Sequence, residues 1–72
     1  MTKLIGTVKW FDKTKAFGFV THNGQDHFAH AKAIKSGETV LLEGQTVEFT
    51  AEPNPKGPQA RDIYVIEADG NV

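Results

Sequence analysis

The chain contains no cysteine, which excludes disulfide staples, thiolate metal sites and a cysteine nucleophile. A reducing compartment is consistent with that. It also lacks a surplus of positive charge: 8 Lys and Arg side chains stand against 9 Asp and Glu, a formal net charge of −1, whereas nucleic-acid binders are commonly basic. Long apolar runs are missing too. The longest, such as Tyr64 to Ile66, fall far short of a membrane span, and the opening residues hold no apolar stretch of the sort a secretory signal needs. A soluble, cytoplasmic protein without membrane association is the expectation. No segment repeats, and no Gly/Ser-rich linker divides the chain. With 72 residues it has enough for one core and not two, so residues 1–72 are read as a single domain.

What is present is punctuated like an all-β protein. Leu4 to Phe11 is rich in Ile, Val, Thr, Trp and Phe, which favour a pleated strand, and its interior Gly6 suggests a bulge or a tight barrel bend. Asp12 to Thr14 is a polar turn. Phe17 to Thr21 reads as a second strand, with Phe17 and Phe19 on one face and Gly18 and Val20 on the other. Asn23-Gly24 is the strongest short-range hairpin signal in the chain, since both residues tolerate positive φ. A third strand spans Asp26 to His30, with Phe28 and His30 opposite His27 and Ala29.

Ala31 to Lys35 fits one helical turn, closed by Ser36-Gly37. Thr46 to Ala51 is a fourth strand, Val47 and Phe49 pointing one way and Glu48 and Thr50 the other. Pro53, Pro55 and Pro58 force the next stretch into a loop, because proline cannot donate to a ladder. A fifth strand runs from about Gln59 to Ile66. Five strands without a true helix point to a closed or nearly closed barrel, with an SH3-like barrel as the structural rival. The expected core is Leu4 or Ile5, Val8, Val20, Ala29, Ile34, Leu41, Val47, Phe49, Ile63 and Val65.

Aromatic residues are crowded into the first half. Trp10, Phe11, Phe17, Phe19 and Phe28 lie close together in sequence, and alternation with Gly18, Val20 and Ala29 places one of the two sets outside a single-walled barrel. If the smaller set fills the interior, the rings form an outer patch flanked by Lys9 and Lys15. Flat rings stack on unpaired bases at about 1–3 kcal/mol per base, and ammonium groups attract the phosphate backbone without fixing its sequence. The blander alternative is that these rings are the core of a small domain. Residues 1 to 20 also hold Lys3, Lys9, Lys13 and Lys15 against a single Asp12, so a face built from them is electropositive although the molecule is not.

Several motifs carry a family likeness. Gly6-Thr7-Val8-Lys9-Trp10-Phe11-Asp12 looks like the first-strand signature of the bacterial cold-shock domain proteins, with Asp12 where asparagine is usual. Lys15-Ala16-Phe17-Gly18-Phe19-Val20 resembles their first ribonucleoprotein-type motif, and Asp26-His27-Phe28-Ala29-His30-Ala31 stands in the place of the second. Glu43-Gly44-Gln45 with Val47 and Phe49, then Lys56-Gly57-Pro58-Gln59-Ala60, match the fourth strand and the loop into the fifth. The resemblance covers about residues 4 to 65.

It implies a five-stranded antiparallel barrel of the OB-fold type over residues 4–66, with 67–72 a loose tail. It further implies binding of single-stranded RNA and single-stranded DNA with little sequence specificity and a preference for pyrimidine-rich strands, by a monomer with no cofactor. Trp10, Phe11, Phe17, Phe19 and Phe28 are then base-stacking rings. His30 stacks or hydrogen-bonds, Lys9 and Lys15 meet phosphate or base edges, and Lys56 and Gln59 contribute from the neighbouring loop. The implied role is that of an RNA chaperone or a regulator of transcription and translation.

The departures are specific. Ala31 replaces a family phenylalanine, which removes one stacking platform, and His27 and Ala29 replace two inward valines. Ala16 replaces a glycine, so a positive φ there costs energy. The stretch between Ile34 and Glu43 is one residue shorter, without an aromatic near Thr39. These departures, with the net charge of −1 and the acidic Glu38, Glu43, Glu48 and Glu52, motivate an alternative: a protein-interaction module that kept the barrel and lost effective nucleic-acid binding.

Catalysis and metal binding have little to stand on. His27 and His30 fall on opposite faces of an extended strand and cannot share a metal from it. His22 is expected to be an exposed turn residue. No nucleophile has an evident base and orienting group, and no glycine-rich strand-to-helix loop exists to cradle a phosphate. The chain is not expected to be an enzyme.

Overall fold

The structure, a computed structural model, describes residues 2–37 and 39–67. Its strands are β1 (Thr2–Asp12), β2 (Phe17–His22), β3 (Gln25–His30), β4 (Thr46–Glu52) and β5 (Gln59–Glu67), with a 3₁₀ turn at Ala31–Ala33. They close into a barrel in the order β1-β2-β3-β5-β4. Every seam is antiparallel but one: β3 meets β5 in parallel at Phe28 and Gln59. The expected tail lies outside the described residues from position 68, and Glu67 still belongs to β5.

Closure depends on the length of β1. Its first half pairs with β4, from Thr2 opposite Ala51 to Thr7 opposite Thr46, and its second half pairs with β2, from Thr7 opposite Thr21 to Asp12 opposite Phe17. Gly6 stands where the strand changes partner. A Cβ there would sit 2.7 Å from the Thr21 carbonyl oxygen and 2.9 Å from the Phe49 ring, so the bend requires glycine by close approach. The bulge is elsewhere, between Val8 and Trp10, where the backbone of Val8 also bonds Gly44 and Gln45 across the barrel end at 2.9 Å each.

The core follows the expected alternation. Val8, Val20, Ala29, Leu41, Val47, Phe49, Ala60 and Ile63 are buried, with Leu4, Ile34 and Val65 packed against them. Ile5 faces out, which settles the choice between Leu4 and Ile5, and Ala60 joins the interior unanticipated. Each fully buried Val, Ile or Phe side chain contributes roughly 1.5–3 kcal/mol. Thr50 departs from the expected outward position: a register irregularity between Glu48 and Thr50 turns both Phe49 and Thr50 inward.

Local chemistry accounts for the turns. Asn23 and Gly24 both hold positive φ, 56° and 82°, and join His22 to Gln25 as a two-residue hairpin. Asp12 accepts from the backbone N–H groups of Thr14 and Lys15, which shapes the β1–β2 turn, and that turn ends with Ala16 at φ 65°. The helical turn is shorter than the sequence suggests. His30 caps it by accepting from the Lys32 backbone N–H, and Ile34 has already returned to extended backbone beside Ile63.

Candidate nucleic-acid interface

Alternation on β2 and β3, together with the bulge on β1, brings five rings to one outer wall. Val20 and Ala29 point inward, so Phe17 and Phe19 on β2 and Phe28 and His30 on β3 point outward. Across the ladder Phe19 stands opposite Phe28 and Phe17 opposite His30. The bulge puts both Lys9 and Trp10 on the outer side, and Trp10 then stands opposite Phe19. Ring centroids run 6.0 Å from Trp10 to Phe17, 5.3 Å from Trp10 to Phe19, 5.5 Å from Phe17 to Phe28 and 6.4 Å from Phe28 to His30. These spacings support the rings edge to face while leaving faces open, and Trp10 is 40% exposed.

Phe11 stands apart from these rings. Past the bulge it returns to the inner side, opposite Gly18, and packs against the core, so it does not join the outer rings. Its position explains Gly18: a Cβ at that glycine would collide with the Trp10 carbonyl oxygen and lie 2.6 Å from the Phe11 Cα.

The basic residues divide. The Lys9 ammonium bonds the Asp26 carboxylate at 2.8 Å, and Lys3 pairs with Glu48 at 3.7 Å. Two of the four lysines expected to make the face of the first twenty residues electropositive are therefore paired, Lys3 with a carboxylate on the adjacent β4 and Lys9 with one on β3, across β2. Lys15 and Lys56 are exposed and have no carboxylate at ion-pair distance among the described residues. Lys15 sits in the turn just before Phe17. Lys56 lies in the β4–β5 loop, where Asn54 and Gly57 close a turn through a 2.8 Å backbone bond.

That loop is pinned to the ring face by the Phe28 N–H donating to the Pro58 carbonyl at 3.1 Å. The result is a cleft of about 450 Å³ between Phe19 and Phe28 on one side and Lys56, Pro58 and Gln59 on the other. Asp26 lines the same cleft. Its hydrogen bond from Lys9, reinforced by one from the Thr21 hydroxyl, holds its carboxyl below the ordinary value. Sequence reading passed over Asp26, Asn54 and Pro58, although Asp26 shares the outward parity of Phe28 and His30 on β3.

His30 belongs with the rings and has a defined polar role. Its Nδ1 accepts from the Lys32 backbone N–H at 3.1 Å, which leaves the proton of the neutral ring on Nε2 as a donor. The other two histidines are structural. His27 is buried beside Phe49 at 5.0 Å, with Nδ1 3.1 Å from the Gln25 carbonyl. His22 is half-buried rather than exposed: its Nδ1 lies 2.8 Å from the Ile5 carbonyl, and its ring meets Phe49 edge-on. Among the described residues no group of three His, Asp or Glu side chains could hold a metal ion, and no helix is long and apolar enough to cross a membrane.

A closed five-stranded barrel with open aromatic rings on one wall defines an oligonucleotide-binding domain. The chain matches the family model of the 'Cold-shock' DNA-binding domain over residues 4–66, and it belongs to that family. It is 52% identical over 67 residues to the cold shock-like protein CspA of Vibrio cholerae, covering 89% of this chain and 96% of that one. It is 47% identical to the cold shock protein CspV of the same organism over 68 residues, 90% of this chain and 97% of the other. To the major cold shock protein of Streptococcus pyogenes serotype M6 it is 57% identical over 60 residues, 81% of this chain and 90% of the relative. Membership makes the chain a single-stranded nucleic-acid-binding domain and not an enzyme.

Proposed function

We propose that the chain binds unpaired RNA and DNA by stacking bases on Trp10, Phe17, Phe19 and Phe28, with little sequence specificity. His30 stacks or donates through Nε2, while Lys9, Lys15, Lys56 and Gln59 meet phosphate or base edges along the rim. The observation that carries this reading is the continuous chain of ring contacts from Trp10 to His30 on the outside of a closed barrel, where packing does not require it. Stacking is tolerant of sequence because every base has a π-face, and the site spans on the order of six nucleotides.

Binding of this kind competes with pairing. The chain then acts as a monomeric, cytoplasmic RNA chaperone, with consequences for transcription and translation, and the names of its relatives support a place in the cold-shock response. Pyrimidine-rich strands are the proposed preference. Titration of Trp10 fluorescence with a short pyrimidine-rich single strand, and separately with the matching duplex, tests the reading. Saturable quenching by the single strand with little response to duplex is expected. Folded protein that shows no quenching at high micromolar strand would overturn it and favour the protein-interaction module.

A further inference from the structure

At His30 the ring face meets a second cleft, along the sparsely paired β3–β5 seam. β3 and β5 pair at Phe28 and Gln59, and the chain next touches β5 where Ile34 meets Ile63. Between those two points runs the 3₁₀ turn, and beside it lies an open cleft of about 370 Å³. His30 lines this cleft as well as the ring face, and Gln59 lines both this cleft and the one beside Phe28. Ala31, next in the chain after His30, has no ring to extend the aromatic face in this direction.

The chemistry of the two sides differs. The new cleft has no Phe, Trp or Tyr in its lining, so it has nothing on which a base could stack beyond the His30 imidazole. It does hold three permanent cations, Lys32, Lys35 and Arg61, against the carboxylates of Glu52 and Asp62. Arg61 already holds Glu52 at 3.5 Å, whereas Lys32 and Lys35 are exposed and without a carboxylate at ion-pair distance among the described residues. Such a surface suits phosphates.

We propose that the open β3–β5 seam is an electrostatic subsite that takes the backbone phosphates of the strand after its last stacked base has passed His30. The inference rests on the stacking reading above and deepens it. The subsite makes affinity grow with strand length beyond the stacked hexamer, and it offsets the platform missing at Ala31.

The test compares hexathymidylate and nonathymidylate on the full chain and on a Lys32→Gln/Lys35→Gln double variant. For the native chain the nonamer binds more tightly than the roughly fourfold expected from its extra registers on a six-nucleotide site. With two further phosphates engaged, that advantage falls about sevenfold between 50 and 200 mM salt, from a slope of about 0.7 per phosphate. The double variant keeps its hexamer affinity, which also shows that it is folded, and loses the salt-dependent nonamer advantage. A variant that retains the advantage, or a native chain that shows none beyond register counting, overturns the subsite alone. Equal loss of hexamer and nonamer affinity in the variant also overturns it, because the lysines would then serve the ring face. Failure of the native chain to bind the hexamer overturns the stacking reading and the subsite together.

Discussion

Phe28 and Phe11 are both phenylalanines beside the same ribbon, and the structure places them on opposite sides of the wall. Phe28 contacts Phe17 and Phe19 at 5.5 and 5.9 Å on the outer wall, while Phe11 packs inward against the core. Phe28→Ala removes one stacking platform, and base–aromatic stacking at about 1–3 kcal/mol converts to roughly a 5- to 150-fold loss of single-strand affinity. It also loses ring contacts worth about 0.5–1.5 kcal/mol each, softened here by exposure of the face. Phe11→Ala leaves the platforms in place and opens the interior, where complete burial would cost 3–5 kcal/mol and half-burial about 2 kcal/mol. A chain of 72 residues has roughly 4–10 kcal/mol in total, so both variants remain mostly folded at low temperature. Urea melts measure the stability of each, and strand titrations followed by Trp10 fluorescence measure binding. Phe28→Ala is expected to lose mainly affinity, and Phe11→Ala mainly stability. A folded Phe11→Ala that loses as much affinity as Phe28→Ala, or a Phe28→Ala within twofold of the native affinity, would refute the division between outer and inner rings.

Other consequences concern the frame. Ala16 at φ 65° carries a left-handed backbone that glycine adopts without strain, so Ala16→Gly is expected to stabilise the barrel by about 1 kcal/mol, raising Tm by roughly 4–8 °C; an unchanged or lowered Tm in calorimetry would count against the strain. Gly18→Ala places a methyl group against the Trp10 carbonyl and the Phe11 backbone and should cost ~3 kcal/mol or more in a urea melt, whereas a near-native melt would contradict the close approach. Asp26 is held below its ordinary value of 3.8 chiefly by the Lys9 hydrogen bond, so its contribution to stability is complete above that pH and is lost as pH falls through the depressed value. Asp26→Asn should therefore flatten the acid limb of the stability profile below about pH 4, and an unaltered limb would show that the Lys9 pair contributes nothing.

Much of this could be read from residue order because the signals are local. Alternation of Phe17 and Phe19 with Gly18 and Val20 survives intact in β2, and Asn23-Gly24 fixes the register of the hairpin that brings Phe28 opposite Phe19. What escaped depends on contacts made at a distance. The bulge at Lys9 carries no glycine to mark it, yet it puts Lys9 and Trp10 on one side and sends Phe11 inward. The turning of Thr50 into the core reflects β4 fitting a bulged β5, where Asp62 holds φ 50°. The pairing of Lys9 with Asp26, seventeen residues apart, depends on the ladder between β1, β2 and β3, and it gives an acidic partner to a lysine that residue order alone leaves unpaired beside the rings. The cleft beside His30 likewise arises from segments distant in sequence, with Lys32 and Lys35 facing Glu52 and Arg61.

The most direct test of the account is a ¹H–¹⁵N correlation titration of the chain with unlabelled hexathymidylate. Binding to the ring face predicts that the largest shifts fall on the Trp10 indole N–H and on the amides of 17–19 and 28–30, with Ile5, Tyr64 and Ile66 on the other wall nearly unmoved. Shifts centred on Ile5 and Tyr64, or a spectrum that does not change at saturating strand, would contradict the claim that the outer aromatic wall is the nucleic-acid interface.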